Sequence, residues 1–128
     1  MMNLHTTALG WSVIGCSIAV HRALGPGLLE SPYEGALAHE LRTRGHSFRH
    51  QVPLPARYKG ENLGRTYRVD FVVENELVLE LKTVSRLLPV HRAQMLTYLK
   101  LLHVRQGFLI NFSAPRLVDG LVSVLLAE

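Results

Sequence analysis

The chain is 128 residues long, with 48% hydrophobic and 19% charged residues, so it has the length of one ordinary domain and enough apolar material to bury a core. A formal charge of +4 permits attraction to phosphate without establishing it, because the 14 basic and 10 acidic residues are dispersed along the sequence. A single cysteine, Cys16, excludes an internal disulfide and fits a reducing, cytoplasmic setting with a buried apolar thiol.

The first predicted element is a helix over residues 7–24, in which Val13, Ile14 and Ile18 recur at three- and four-residue spacing with His21 in the same phase. Its apolar stretch, residues 8–20, has no basic n-region and is shorter than the ~20 residues a bilayer needs, so it reads as a core helix with no membrane role. Gly25, Pro26 and Gly27 end it. Ser31, Pro32 and Glu34 then form the pattern of an N-cap, a first-turn proline and the third position of a capping box, which predicts a second helix reaching Arg44. That structural duty ranks Glu34 below Glu30 as a candidate for chemistry. The period changes after Gly45. Residues 47–54 are a strand candidate, residues 58–64 a hairpin turn, and residues 65–73 and 77–84 two further strands joined by Glu74, Asn75 and Glu76. The nearly continuous apolar run from Leu77 to Leu81 marks a central strand covered on both faces. Pro89 opens a third helix reaching about His103, with Met95, Leu99 and Leu102 as its apolar stripe, and residues 107–112 form another strand. Residues 117–126 fit a strand or a helix equally. The expectation is one α/β domain over residues 1–128.

Chemistry concentrates in the middle strands. Asp70 lies in one strand, and Glu80 and Lys82 lie two apart in the next, so the latter two project from one face of the sheet. Charged groups in apolar strands are costly unless they pair, hydrate or bind an ion, and a hard divalent cation would resolve the cost with carboxylate oxygens. A structural ion pair is the plain alternative. The seven histidines offer no HExxH pair and the lone cysteine no zinc spacing. His21 and His91 are read as packing or hydrogen-bonding residues.

Asp70, nine residues, then Glu80-Leu81-Lys82 resembles the D-x(n)-E-x-K core of PD-(D/E)xK nucleases, and the predicted order of elements agrees. Gly27-Leu28-Leu29-Glu30-Ser31-Pro32-Tyr33 resembles the motif for which the GxxExxY proteins, a branch of that superfamily, are named; the likeness extends through residues 21–27, 90–94 and 109–112. The resemblance implies a restriction-endonuclease-like fold with a central mixed sheet flanked by helices. It implies Asp70 and Glu80 as metal ligands with the Leu81 carbonyl as a third, and Mg2+ or Mn2+ as cofactor. Lys82 would orient or help deprotonate the attacking water or stabilise charge on the phosphate, and Glu30 would add a carboxylate. Gln94 and Tyr98, four apart on the third helix, resemble the Q-x-x-x-Y element of RecB-type nucleases and would line the site, although Tyr98 also fits a core aromatic, Gln94 a solvated helix residue and Tyr33 a residue packing the helix entry. The implied partner is nucleic acid, DNA ahead of RNA, with a homodimer as a candidate state. The competing function is a non-catalytic nucleic-acid or protein interaction module on the same fold.

Overall fold

The structure, a computed structural model, describes residues 4–127. Helix α1 (Ala8–Leu24) starts where the Thr7 hydroxyl accepts the Gly10 N–H and stops at Gly25, whose φ of 72° no continuing helix could use. Helix α2 (Glu30–Thr43) begins earlier than the capping pattern implies: Leu29 is its N-cap, with no side-chain cap bond, and Ser31 is already helical. The expected capping box is therefore absent. Pro32 is tolerated within the first turn because its missing N–H would have had no intrahelical acceptor there.

Strands β1 (Phe48–Tyr58) and β2 (Glu61–Val73) form one long antiparallel hairpin turning at Lys59 and Gly60, both with positive φ. Both strands are longer than the sequence suggests, since the polar residues 57–64 continue the ladder almost to its tip. Strand β3 (Leu77–Lys82) follows antiparallel, α3 (Pro89–Leu102) crosses over, β4 (Gln106–Asn111) pairs parallel to β3, and β5 (Leu121–Leu125) closes antiparallel. The undecided tail resolves into a 3-10 turn (Leu117–Gly120) followed by that last strand.

The sheet order β1-β2-β3-β4-β5 puts β3 in the middle, as its apolar run requires. Each face has its own core. Phe71, Leu77, Leu79, Leu81, Phe108 and Ile110 pack on one side under α1 and α2 with Val13, Tyr33 and Leu37. Val69, Val72, Val78 and Leu109 pack on the other under α3 with Met95, Tyr98 and Leu99. Cys16 is fully buried in the first core, and burial pushes its thiol pKa up, consistent with an inert apolar role. The result is a mixed five-stranded sheet between helices, the α/β architecture expected from the order of elements. No helix among the described residues is long and apolar enough to cross a membrane.

Candidate active site

The β2–β3 ladder runs through Val73–Leu77, Val72–Val78 and Phe71–Leu79 and then opens. One step further the register sets Asp70 against Glu80, and side chains replace the ladder bonds: the Asp70 N–H donates to Glu80 Oε1 at 2.8 Å, and the Leu81 N–H donates to Asp70 Oδ2 at 2.8 Å. Carboxylates thus occupy the gap. On the other side of β2, Gln51 has φ 55°, a left-handed conformation that a non-glycine strand residue rarely adopts. This breaks the alternation of β1. His50 and Gln51 both reach Glu34, at 3.5 Å and 3.0 Å, and the Gln51 amide also donates to Asp70 Oδ1 at 3.3 Å. Opposite them Phe71 packs in the α1–α2 core while the neighbouring Asp70 also turns its carboxylate toward α2.

Glu30 and Glu34 stand four apart at the start of α2, hence on one side of it, and each offers a carboxylate oxygen. Together with one from Asp70, these oxygens lie within 4.8 Å of one another. Glu80 alternates with Leu79 and Leu81 of the α1–α2 core and so belongs to the α3 side, joined to the group through the Asp70 N–H. Such crowding resists ionisation. Burial and then the Asp70 charge push Glu34 up to about 7, and the same two causes push Glu80 up to about 8. Glu30 is raised by burial and by Asp70, with Lys82 opposing. Several hard oxygen donors with too little positive charge among them match the ligand preference of a divalent ion such as Mg2+ or Mn2+.

Lys82 is half-buried at the end of β3 and makes no ion pair within 4 Å among the described residues; its ammonium lowers the pKa values of Glu80 and Glu30 through space. The Leu81 side chain is buried in the α1–α2 core while its N–H holds Asp70. Tyr98 is buried in the α3 core, edge-on to Tyr67 at 5.8 Å, and burial followed by the Glu80 and Asp70 charges raises its phenol pKa. Gln94 is exposed one turn earlier, and its side chain has no hydrogen bond among the described residues. Reading Glu34 as a capping residue set aside a carboxylate at the heart of the cluster. Its i,i+4 relation to Glu30 was the available signal. Gln51 and His50 carried none, because their role depends on a backbone kink.

The loop before α2 explains the spacing around Glu30. Gly27 has φ 99°, which favours glycine, and the Tyr33 hydroxyl donates to the Gly25 carbonyl and accepts the Leu28 N–H at 3.2 Å. The Tyr33 ring stacks on Phe112 with centroids 4.5 Å apart. Tyr33 therefore packs the helix entry and fixes where Glu30 emerges. His21 bonds the Ala114 carbonyl at 2.8 Å through Nε2, and His91 Nδ1 accepts the Leu88 N–H at 3.0 Å, so both serve the scaffold. Asn111 clamps the chain leaving β3 by donating to the Val84 carbonyl and accepting the Val84 N–H.

A family model described as the PD-(D/E)XK nuclease superfamily matches residues 7–123. Nucleases of this kind use divalent metal ions. Neither curated proteins nor solved structures give a match.

Proposed function

The chain belongs to the PD-(D/E)XK nuclease superfamily, and on that premise we propose that it is a Mg2+- or Mn2+-dependent nuclease of the GxxExxY branch that hydrolyses DNA phosphodiester bonds. What carries the reading is the carboxylate surplus at the open end of the β2–β3 ladder, where Glu30, Glu34 and Asp70 converge beside Glu80 and Lys82. Buried like charges with few donors are destabilising, and ligation of a cation removes that cost. Asp70, Glu30 and Glu34 would hold the ion, with the Leu81 carbonyl on the sheet side and Glu80 acting on Asp70 through the Asp70 backbone N–H. A bound divalent ion lowers the pKa of its water and offsets charge on the phosphate.

The remaining work falls to the chain's own side chains. The Leu81 N–H and the Gln51 amide hold the Asp70 carboxylate in place, so its oxygens need not reorganise. Lys82, with no carboxylate within 4 Å among the described residues, is available to donate to a phosphate oxygen or to orient the attacking water. Tyr98 stays a neutral phenol at physiological pH, since burial and the Glu80 and Asp70 charges raise its pKa. The test is divalent-ion titration by calorimetry together with cleavage of single-stranded and duplex DNA with and without Mn2+. Cleavage that requires the ion supports the proposal. No ion binding and no cleavage across several substrates would replace it with the interaction-module reading.

A further inference from the structure

Much of the chain's net positive charge falls in one short segment, and the fold sets that segment out on a projecting ribbon. Residues 57–68 hold four cations, Arg57, Lys59, Arg65 and Arg68, against the single carboxylate of Glu61. That is three of the four net positive charges of the chain. The same residues form the distal part of the β1–β2 hairpin. β3 pairs only with residues 71–73 of β2, so the ribbon beyond them extends past the sheet as a two-stranded arm. Nine or so residues of β2 at ~3.3 Å each give it a reach of roughly 25–30 Å. Its base is held by the α3 core through Leu54, Val69 and the Tyr67–Tyr98 contact, and residues 57–68 are exposed throughout.

Three features say what such an arm contacts. None of its four cations is ion-paired with a carboxylate among the described residues, so their charge is uncompensated. Aromatic and apolar side chains are interleaved with them: Tyr58 is 60% exposed under the Lys59 ammonium, and Leu63 is 53% exposed. Pro53 and Pro55, two apart on β1, remove backbone donors from the free edge, which suppresses strand addition by another chain. Recognition is thereby left to side chains.

We propose that the β1–β2 arm is a duplex-DNA grip, a basic two-stranded ribbon that seats in the major groove and holds the adjacent backbone over the acidic site at its base; this rests on the nuclease reading and extends it to a substrate class. The major groove of B-form DNA admits a two-stranded ribbon, whereas the deep, narrow major groove of A-form RNA does not. Arg68 lies two residues before Asp70 on the same strand, so the cationic ribbon leads directly into the carboxylate cluster.

Binding is measured by fluorescence anisotropy in EDTA, so that it is independent of cleavage, with duplex DNA, duplex RNA and single-stranded DNA of one sequence over a range of salt. The comparison is between the wild-type chain and the quadruple variant Arg57→Gln, Lys59→Gln, Arg65→Gln and Arg68→Gln, whose melting temperature and Mn2+ titration report that fold and site are intact. Expected is tightest wild-type binding to duplex DNA, and in the variant an affinity loss on the order of a hundredfold at low salt, with a slope of log K on log salt shallower by about 3–4. Duplex RNA bound as tightly as duplex DNA would overturn the groove seating. Unchanged affinity and slope in the variant, or no DNA binding by the wild type, would overturn the arm as the grip. Arm-dependent binding without Mn2+-dependent cleavage would sink the nuclease reading and leave the grip standing.

Discussion

Glu74, in the turn between β2 and β3, accepts the Ser47 N–H at 3.1 Å and the Ser47 hydroxyl at 2.9 Å, with His46 at 3.6 Å, and these donors hold its pKa below the ordinary range. Glu34 and Glu80, near the other end of the same hairpin, are pushed up to about 7 and about 8. The two ends use the same chemical group with opposite electrostatic signs. Where donors match a carboxylate, it serves the fold; where carboxylates outnumber donors, the fold bears a cost that only a cation or a proton removes. That surplus separates a site from an ordinary polar turn.

The largest expected effects come from breaking the acidic end directly. Asp70→Asn keeps an oxygen for the Leu81 N–H but removes the central charge, and should abolish both divalent-ion binding and cleavage. Lys82→Ala should leave ion binding nearly intact and lower the cleavage rate about a hundredfold or more, the equivalent of ~3 kcal/mol of transition-state stabilisation. Calorimetric titration and single-turnover cleavage of both variants separate the two roles. Equal loss of ion affinity in both would show that Lys82 serves the ligand set and not the phosphate.

A smaller effect should appear in stability. Because Glu34 and Glu80 have folded-state pKa values above the ordinary 4.5, the unfolded chain ionises first, and the metal-free fold should lose stability as pH rises from about 4.5 to about 8. Glu34→Gln should raise the melting temperature of the metal-free protein at pH 8 by the equivalent of ~1 kcal/mol or less after solvent screening, and leave it unchanged at pH 4.5. Saturating Mn2+ should erase the pH slope in the wild type. A metal-free melting temperature that climbs from pH 4.5 to pH 8 would remove the electrostatic case for the site.

Much of this molecule is legible from residue pattern, and the failures share a cause. The apolar run of β3 marked it as central, and Pro89 with its stripe marked α3, because burial periodicity is local information. Glu30 was legible through its motif. Glu34 was hidden by a capping pattern that this backbone does not use, since the loop held by Tyr33 starts the helix at Glu30. Strict alternation also could not foresee that Asp70 turns toward α2, where the amide of Gln51, a residue of positive φ, donates to it. The basic arm was hidden for a different reason: its four cations fall within residues 57–68, but only the length of the hairpin beyond β3 shows that they stand together on one projecting ribbon.

Tyr33→Phe tests how far the site depends on that loop. Losing the hydroxyl leaves the Leu28 N–H and the Gly25 carbonyl without their shared partner and should cost ~1 kcal/mol, while the ring keeps its stack on Phe112. If the hydroxyl positions Glu30, ion affinity should fall several-fold as well. An unchanged titration alongside the lowered melting temperature would confine Tyr33 to the scaffold.

The smallest effect is expected at the contrasting end, and its sign matters more than its size. Glu74 has a depressed folded-state pKa, so its contribution to stability is fully present above the ordinary value of 4.5 and is lost as pH falls through the folded value. Glu74→Gln should therefore lower the melting temperature slightly at pH 7 and lower it less as pH falls below 4.5, the opposite of the Glu34→Gln pattern. The residue is exposed, and added salt should shrink even this difference, because screening weakens its contact with His46. Neither ion binding nor cleavage should change, since Glu74 lies in the turn after β2, four residues beyond Asp70, and outside the carboxylate cluster. Thermal melts of both variants at two pH values and two salt concentrations decide the matter. If Glu74→Gln stabilised the metal-free protein at pH 7 as Glu34→Gln is expected to do, the two ends of the hairpin would not differ in electrostatic sign. Carboxylate surplus would then mark nothing particular about the site.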